Sequence, residues 1–301
     1  RTGASRSAGI CARAQCGPGT QHDSLGLSWA ATRTLDGAVT ERPCVDVVIP
    51  VFNGQETIVA ALNSVLIGEG GWVRRIIVVD DGSRDETVAT IRKLGCPLIE
   101  LVSTPNQGVA RARNLGIEKA SAEWVAFLDA DDVWMPNKLD AQLRCAREVG
   151  AGFVCGSVSG QSAMASCPIS PKRLARGNFV ATSSVLVRRS VLQQIQPVFT
   201  PGMSFAEDYL AWLKCVSLAP GYYLSIKLVD YILSERPRYS WGQILCNMVA
   251  MNVRYARFLR QVGTDTTQRL NLVFAVFIGS LWSVLSICKR FIRSYLAGTS
   301  K

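Results

Sequence analysis

Residues 74–95 read RRIIVVDDGSRDETVATIRKLG, and this stretch contains one complete structural unit. Its β-branched run at 76–79 predicts a buried strand, which ends at an acidic pair and a glycine. The segment DETVATIRKLG that follows predicts a helix with an acidic first turn and a closing Gly95. A strand that passes directly into a helix is the repeating unit of parallel α/β sheets.

The same unit recurs on both sides of this stretch. Upstream, VDVVIPV at 45–51 predicts a strand stopped by Pro50 and the Asn53-Gly54 turn, and ETIVAALNSVL predicts a helix. Downstream, the order is strand PLIELVS, helix GVARARNLGIEKA and strand EWVAFLDA. The chain is therefore predicted to be α/β, with a mostly parallel sheet joined by right-handed crossovers and flanked by helices.

Polar residues collect where these strands end. Pro50 to Asn53, Asp80 with Asp81, and Asp129 to Asp132 all follow apolar runs. In parallel sheets the ligand crevice lies beyond the carboxyl ends of the strands, so these residues are expected to converge. Each cluster alone fits turn chemistry or helix N-capping, as Asp85 does. Their recurrence at three strand ends favours a shared site.

Three carboxylates in the third cluster, Asp129, Asp131 and Asp132, repel one another unless a cation lies between them. Hard oxygen ligands suit Mg²⁺ or Mn²⁺, which complete their coordination with water and substrate phosphate when the protein supplies few ligands. The pattern predicts a metal-bound diphosphate as substrate. Arg111 and Arg113 add positive charge nearby, or are solvated or paired with a carboxylate.

Four segments together resemble the successive motifs of the family 2 glycosyltransferases, which are inverting enzymes with the GT-A fold. They are VVIPVFNGQETI, IIVVDDGSRDETV, NQGVARARNLGIEKA and WVAFLDADDVWMPNKL, and the resemblance runs from Val45 to Leu143. It implies a GT-A catalytic domain over residues 44–240, with a nucleotide-sugar half at 44–143 and an acceptor half at 144–240.

The resemblance also implies roles for individual residues. Pro50 and Asp81 are expected near the nucleotide base, Asp129 at the ribose, and Asp131 on the Mn²⁺ or Mg²⁺ that bridges the diphosphate. Asp132 is expected to support the metal. The nucleotide-sugar site implied in this way comprises Pro50, Asn53, Asp81, Arg113 and Asp129.

On the acceptor side, GNFVATSSVLVRRSVLQQI predicts a strand then a helix, and FAEDYLAWLKCVSLA predicts a helix opened by Glu207 and Asp208. The helix dipole alone explains two acids at this position. The resemblance implies that Asp208 is the general base and that Glu207 orients it or contacts the acceptor. One displacement inverts the anomeric configuration. A histidine base is not expected, because the single histidine, His22, lies outside all of these motifs.

One segment departs from the family pattern. Many members follow the base helix with a Tyr-Arg-x-His-like segment, whereas this chain has DYILSERPRYS, in which only Tyr231 matches. Arg236 or Arg238 supplies the missing charge from a shifted position, or the loop does not touch phosphate. A non-catalytic nucleotide-sugar-binding or membrane scaffold protein therefore remains the alternative.

The C-terminal region, 241–301, is predicted to be helical. Residues 272–288 carry no charge and precede Lys289, Arg290 and Arg293. Such a segment spans the bilayer once, lies against it, or packs as a buried helix, and its length and flanking charge favour membrane association. Arg254, Arg257 and Arg260 share one helical face, which is solvated or suits anionic headgroups.

The N-terminal composition, the cysteines and the net charge limit the kinds of partner and compartment that fit this chain. Residues 1–43 predict a disordered or loosely attached leader without a secretory signal, and ten cysteines without a C-x-x-C pair suggest reduced thiols in the cytosol. The net charge of +10 favours anionic partners. Nucleic acid would not explain an acidic crevice, and a nucleotidyltransferase needs a Gly-rich phosphate loop that PVFNGQE does not supply.

The resemblance and the residues together predict the transfer of one sugar from a nucleoside-diphosphate sugar. The resemblance favours UDP as the nucleotide of this donor. The expected acceptor is a glycan or a lipid-linked molecule in cell-surface polysaccharide or glycolipid synthesis. The expected location is the inner face of the cytoplasmic membrane, as a peripheral or single-span protein.

Overall fold

The structure of this chain is a computed structural model that describes residues 44–69, 71–161, 164–203, 206–231 and 241–279. Three of the expectations above lie outside the described residues. They concern the leader, the segment with Arg236 and Arg238, and the second half of the uncharged segment together with the basic residues after it.

The strands of the described segments form one mixed sheet in the order β3-β2-β1-β4-β8-β6-β9-β5, and β7 pairs with β9. Their bounds are β1 (Val45–Val51), β2 (Val73–Asp80), β3 (Ile99–Ser103), β4 (Trp124–Phe127), β5 (Val133–Trp134), β6 (Phe153–Val158), β7 (Cys167–Ile169), β8 (Leu186–Arg188) and β9 (Gly221–Asp230).

Helices pack on both faces of this sheet. They are α1 (Ile58–Gly68), α2 (Thr87–Lys93), α3 (Val109–Lys119), α4 (Lys138–Val149), α5 (Pro171–Leu174), α6 (Arg189–Gln193), α7 (Glu207–Leu218) and α8 (Trp241–Gln261), followed by a helix over 266–279 that we call α9. On one face α3 and α7 bury apolar side chains, and on the other α1 and α4 do so.

The half of the sheet formed by β1 to β4 is parallel, as the sequence predicts. β1 lies between β2 and β4, and β2 pairs with β3. Two details differ from the expectation. β1 continues through Pro50, which lies beside Val79 near the strand end, where a missing N–H is tolerated. α2 begins at Thr87, so Asp85 precedes it and accepts a hydrogen bond from the Thr87 backbone.

The other half of the sheet is mixed. β8 pairs antiparallel with β4 and with β6, whereas β9 pairs parallel with β6. The predicted strand in 177–195 is mostly absent, because a 3₁₀ helix over Thr182–Ser184 interrupts it and leaves only the three residues of β8 before α6. Gln142 of α4 holds this interruption by donating to the Ser184 carbonyl.

Aromatic rings fill the core under the mixed half of the sheet. Trp212 of α7 packs against Phe127, Phe153 and Phe199, with ring centroids 5.4 to 5.6 Å apart. Contacts of this kind bring roughly 0.5 to 1.5 kcal/mol per pair beyond the area that they bury. The packing fixes α7 against β4 and β6.

The uncharged C-terminal segment splits into two faces where the structure describes it. In α9, Leu272 and Val276 pack into the core, whereas Phe274 and Phe277 are exposed. Gly279 lies so close to Ala175 that a Cβ would overlap the Ala175 carbonyl. None of the helices in the described segments combines the length and the hydropathy needed to cross a bilayer.

The close approach of α3 to β1 gives a test of this packing. A Cβ on Gly116 would overlap the Val48 side chain in a buried interface, so Gly116→Ala is expected to lower the free energy of unfolding by about 1 to 3 kcal/mol. Urea denaturation measures this loss. The matched control is Gly177→Ala, where a Cβ meets open space and the change should stay within about 0.5 kcal/mol. Equal effects of the two substitutions would contradict the described contact.

Candidate active site

The crevice is formed by the loops that follow β1, β2 and β4. These strands are parallel neighbours, so their carboxyl ends share one edge of the sheet. Val51 at the end of β1 is in register with Asp80 at the end of β2. The structure therefore brings together the loops that carry Asn53, Asp81 and Asp129, as the sequence predicts.

Reciprocal hydrogen bonds join the β1 and β2 loops. The Asn53 N–H donates to Ser83 Oγ at 2.9 Å, and its Oδ1 accepts from the Arg84 N–H at 2.8 Å. The Gln55 N–H of the β1 loop donates a further hydrogen bond to Asp85 Oδ2 of the β2 loop. Asn53 holds a left-handed backbone with φ of 51°, which its short amide side chain tolerates well. Asn53 thus shapes the crevice, and its contact with a nucleotide stays a prediction.

Asp81 organises a third loop. It is buried, and its two carboxylate oxygens accept hydrogen bonds from the backbone N–H groups of Gln107 and Gly108, each at 2.8 Å. The loop before α3 is thereby held against the end of β2. Pro50 is also buried in the sheet. The expected approach of Pro50 and Asp81 to a nucleotide base stays a prediction.

A serine that the sequence does not single out holds the acidic loop after β4. Ser183 Oγ accepts from the Asp129 backbone N–H at 3.0 Å and donates to Asp132 Oδ2. The Ser183 carbonyl accepts from the Trp134 indole at 2.8 Å. The polar triplet TSS inside an apolar stretch was the available signal. Asp132 is buried in this network and so lies behind the crevice surface.

Asp131 differs from its neighbours in this loop. Its carboxylate is partly exposed, and it forms no hydrogen bond or ion pair with any residue that the structure describes. Hard oxygens without protein partners suit Mg²⁺ or Mn²⁺. In the described segments, no group of three or more Asp, Glu, His or Cys side chains is arranged to hold a metal ion. A cation here would need substrate oxygens, and the assignment to Asp131 and Asp132 stays a prediction.

Arg113 connects the two sides of the crevice. Its guanidinium is buried, donates to Asp129 Oδ1 at 2.7 Å and to Glu207 Oε1 at 3.1 Å, and lies over the Phe199 ring at 5.2 Å. Burial lowers the pKa of Arg113, but the Asp129 and Glu207 carboxylates outweigh burial and raise it above its usual value. Of the roles left open by the sequence, pairing with a carboxylate is the one observed.

Asp208 lies beside this bridge at the start of α7. Burial, followed by the charge of the adjacent Glu207, raises the pKa of Asp208 to about 6, against an opposing effect of Arg113. Its Oδ1 accepts from the Tyr209 N–H at 2.6 Å. A carboxylate with a raised pKa is ionised at neutral pH and accepts a proton more readily than an ordinary aspartate, which suits a general base.

Comparison with known proteins agrees with this geometry. The model of the family "Glycosyl transferase family 2" matches residues 46–168. The TuaG protein of Bacillus subtilis, described as a teichuronic acid biosynthesis glycosyltransferase, is 30% identical over 189 residues, which are 58% of this chain and 72% of TuaG.

Two further relatives differ in how much they share with this chain. WfgD of Escherichia coli, a UDP-Glc:α-D-GlcNAc-diphosphoundecaprenol β-1,3-glucosyltransferase, is 27% identical over 176 residues, 56% of this chain and 68% of WfgD. The succinoglycan biosynthesis protein ExoO of Rhizobium meliloti is 37% identical over 115 residues. That alignment covers 38% of this chain and only 33% of ExoO.

Among solved structures, TarS of S. aureus, residues 1–349, superposes with a TM-score of 0.65 at 17% identity, over 77% of this chain and 70% of TarS. Its complex with UDP-GlcNAc gives a TM-score of 0.59 at 18% identity, over 79% of this chain and 81% of that chain. The predicted GT-A fold, with a mostly parallel sheet flanked by helices and a C-terminal helical region, is confirmed.

The Arg113 bridge gives a second test. Arg113→Met removes the cation between Asp129 and Glu207 and leaves both carboxylates without their partner. The free energy of unfolding should therefore fall by roughly 2 to 4 kcal/mol, and the remaining contact of both carboxylates with water limits the loss. Urea denaturation at neutral pH measures the loss. Arg111→Met is the control, since Arg111 lies on the same helix, is exposed and contacts Gln107. A loss equal to that of the control would refute a structural role for the bridge.

Proposed function

Because this chain belongs to glycosyl transferase family 2, we propose that it moves one sugar from a nucleoside-diphosphate sugar to an acceptor hydroxyl, with inversion at the anomeric carbon. The observation that carries the proposal is the Arg113 bridge. It joins Asp129, on the loop assigned to the donor, to Glu207, next to the candidate base. Donor and acceptor would therefore meet beside Asp208.

In the proposed reaction, Asp208 takes the proton of the acceptor hydroxyl while that oxygen bonds to the anomeric carbon. The bond from this carbon to the diphosphate breaks on the opposite face, and the nucleoside diphosphate leaves with the bonding electrons. A pKa of about 6 keeps Asp208 ionised at neutral pH and ready to accept the proton. One displacement inverts the configuration, and no covalent enzyme intermediate is required.

Glu207 and Arg113 act as positioning residues in this proposal. Arg113 holds Glu207 beside Asp208, and the proximity of Glu207 raises the pKa of Asp208. The positive charge of Arg113 limits that rise. The pair thus balances the basicity of Asp208 against its ionisation at neutral pH.

UDP is the proposed nucleotide of the donor. WfgD is named for a UDP-glucose donor, and TarS binds UDP and UDP-GlcNAc. In this chain the loops at Asn53 and Asp81 are held rigidly at the carboxyl ends of β1 and β2. Preformed loops of this kind lower the entropic cost of binding a nucleotide.

A divalent cation, Mn²⁺ or Mg²⁺, is the proposed cofactor. Asp131 would hold it with its carboxylate oxygens, and Asp132, fixed by Ser183, would support that loop from behind. When bound, such a cation offsets the negative charge of the departing diphosphate.

The proposed acceptor is a lipid-linked glycan used in bacterial surface-polysaccharide synthesis, at the inner face of the cytoplasmic membrane. The names of ExoO, WfgD and TuaG refer to succinoglycan, to a diphosphoundecaprenol-linked sugar and to teichuronic acid. The exposed Leu270, Phe274 and Phe277 of α9 recur at helical spacing and offer an apolar stripe to a membrane surface.

Calorimetry tests the donor and cofactor assignment. UDP should bind the wild type at least roughly 10-fold more weakly when Mn²⁺ is replaced by a chelator, and Asp131→Asn should remove this metal dependence. Asp140→Asn is the control, because Asp140 lies in the first turn of α4, outside the acidic loop after β4, and pairs with Arg144. If UDP bound equally with metal and with chelator, the metal assignment would be wrong. If UDP failed to bind, titration with GDP and dTDP would identify another donor base.

The pH profile tests the base. With kcat/KM measured as UDP release in the presence of an acceptor found by screening lipid-linked glycans, the rate should fall about tenfold per pH unit below pH 6, as Asp208 becomes protonated. Asp208→Asn should lower kcat on the order of 10²- to 10⁴-fold without weakening UDP binding. A profile that stays flat through pH 5, or an active Asn variant, would exclude Asp208 as the base.

A further inference from the structure

A basic cavity of about 250 Å³ lies between α7, α8 and the loop after α6, away from the crevice. Its cations are Lys214, Arg254 and Arg257, and its neutral polar groups include Gln194 and Gln261. Lys214 lies six residues after Asp208 on α7, which places it about 9 Å further along the helix axis. The cavity is therefore a feature separate from the proposed reaction site.

The cations of this cavity face no carboxylate among the residues that the structure describes. Over the same described segments, neither Arg254 nor Arg257 forms an ion pair. Lys214 is only 7% exposed, and its ammonium donates one hydrogen bond, to the Pro197 carbonyl at 3.2 Å. Burial, with a further contribution from Arg254, lowers the pKa of Lys214 to about 8. An anion with several oxygens would relieve this repulsion.

An apolar groove continues from the same two arginines along α8. It has a volume of about 460 Å³ and is lined by Cys246, Val249, Ala250 and Val253 together with Arg254 and Arg257. Val249 is 53% exposed and Val253 is 45% exposed. A surface that joins a phosphate-sized basic cavity to exposed valines matches a ligand with an anionic head and a hydrocarbon tail.

We propose that this surface, formed by Lys214, Arg254 and Arg257 with Val249 and Val253, docks the protein on an anionic phospholipid bilayer. One lipid phosphate enters the basic cavity, and the two valines lie at the level of the first acyl carbons. A soluble phosphate compound would use the cavity but gain nothing from the valines. The inference rests on the proposed action at a membrane surface and adds to it a site for a lipid headgroup on α7 and α8.

Docking on the bilayer would assist the proposed reaction, because it would place the protein beside lipid-linked acceptors. A protein held at the bilayer meets lipid-linked acceptors at a much higher effective concentration than one in solution. Because α7 carries both Asp208 at its N-terminus and Lys214 further along, the lipid contact and the base are fixed relative to each other by one rigid helix.

Vesicle co-sedimentation of the full chain tests the proposal. With vesicles of equal parts phosphatidylglycerol and phosphatidylcholine, the double variant Arg254→Gln/Arg257→Gln should bind about 10- to 30-fold more weakly than the wild type. The control is Arg92→Gln/Lys93→Gln, which removes the same charge from exposed positions on α2, on the opposite face of the sheet. The control should bind within about twofold of the wild type, and the site variant should not.

A second pair of variants separates lipid from soluble phosphate. Val249→Ser/Val253→Ser keeps every cation and should also weaken vesicle binding, whereas it should leave any binding of inorganic phosphate unchanged. Equal losses in the site and control variants would overturn the proposal in favour of diffuse charge attraction. Binding of inorganic phosphate without binding of vesicles would overturn it in favour of a soluble ligand.

UDP calorimetry on the same proteins keeps this test independent of the proposed reaction. The arginine and valine variants should bind UDP as the wild type does, because their side chains lie outside the crevice. If the wild type fails to bind UDP while vesicle binding still depends on Arg254 and Arg257, the proposed donor fails and the docking surface stands. The reverse result removes the docking surface alone.

Discussion

The buried guanidinium of Arg113 is the interaction on which the site depends. It joins helix α3 to the loop after β4 and to the start of α7, three elements that the sheet brings to one edge. A buried cation is stable only when its carboxylate partners stay in place, so these elements are fixed relative to one another. Arginine suits this position better than lysine, because its planar fork reaches two carboxylates at once.

The acidic residues of the crevice differ in how many of their carboxylate oxygens already accept hydrogen bonds from the protein. Both oxygens of Asp81 hold the loop before α3, and Asp132 is committed to Ser183. Asp131 has no partner among the described residues, and Asp208 uses one oxygen on its neighbouring N–H. Asp131 and Asp208 thus keep carboxylate oxygens that the described hydrogen bonds do not use, and the proposed mechanism assigns chemistry to both. This division explains why a chain tolerates so many acids at one sheet edge.

The parallel half of the sheet was predictable because local patterns specify it. Each of its strands is a short apolar run followed by a helix with its own periodicity. The partners of Arg113 are 16 and 94 residues away, and those of Ser183 are 49, 51 and 54 residues away, so no local pattern indicates them. In α9 the sequence did not indicate which face is buried, because all the residues concerned are apolar. Leu272 and Val276 pack into the core, whereas Phe274 and Phe277 are exposed.

The chain carries a net charge of +10 and yet has an acidic crevice, and the two proposals give it two ways of attracting anions. In the proposed mechanism, Asp131 would hold a divalent cation against the diphosphate of the donor, so donor binding would depend on the metal. At the proposed docking surface, an anion would meet Lys214, Arg254 and Arg257 directly, so binding there would need no cofactor. Arg113 is a permanent cation at the crevice, but Asp129 and Glu207 already offset its charge, so it would hold a leaving nucleotide less strongly than an uncompensated cation would.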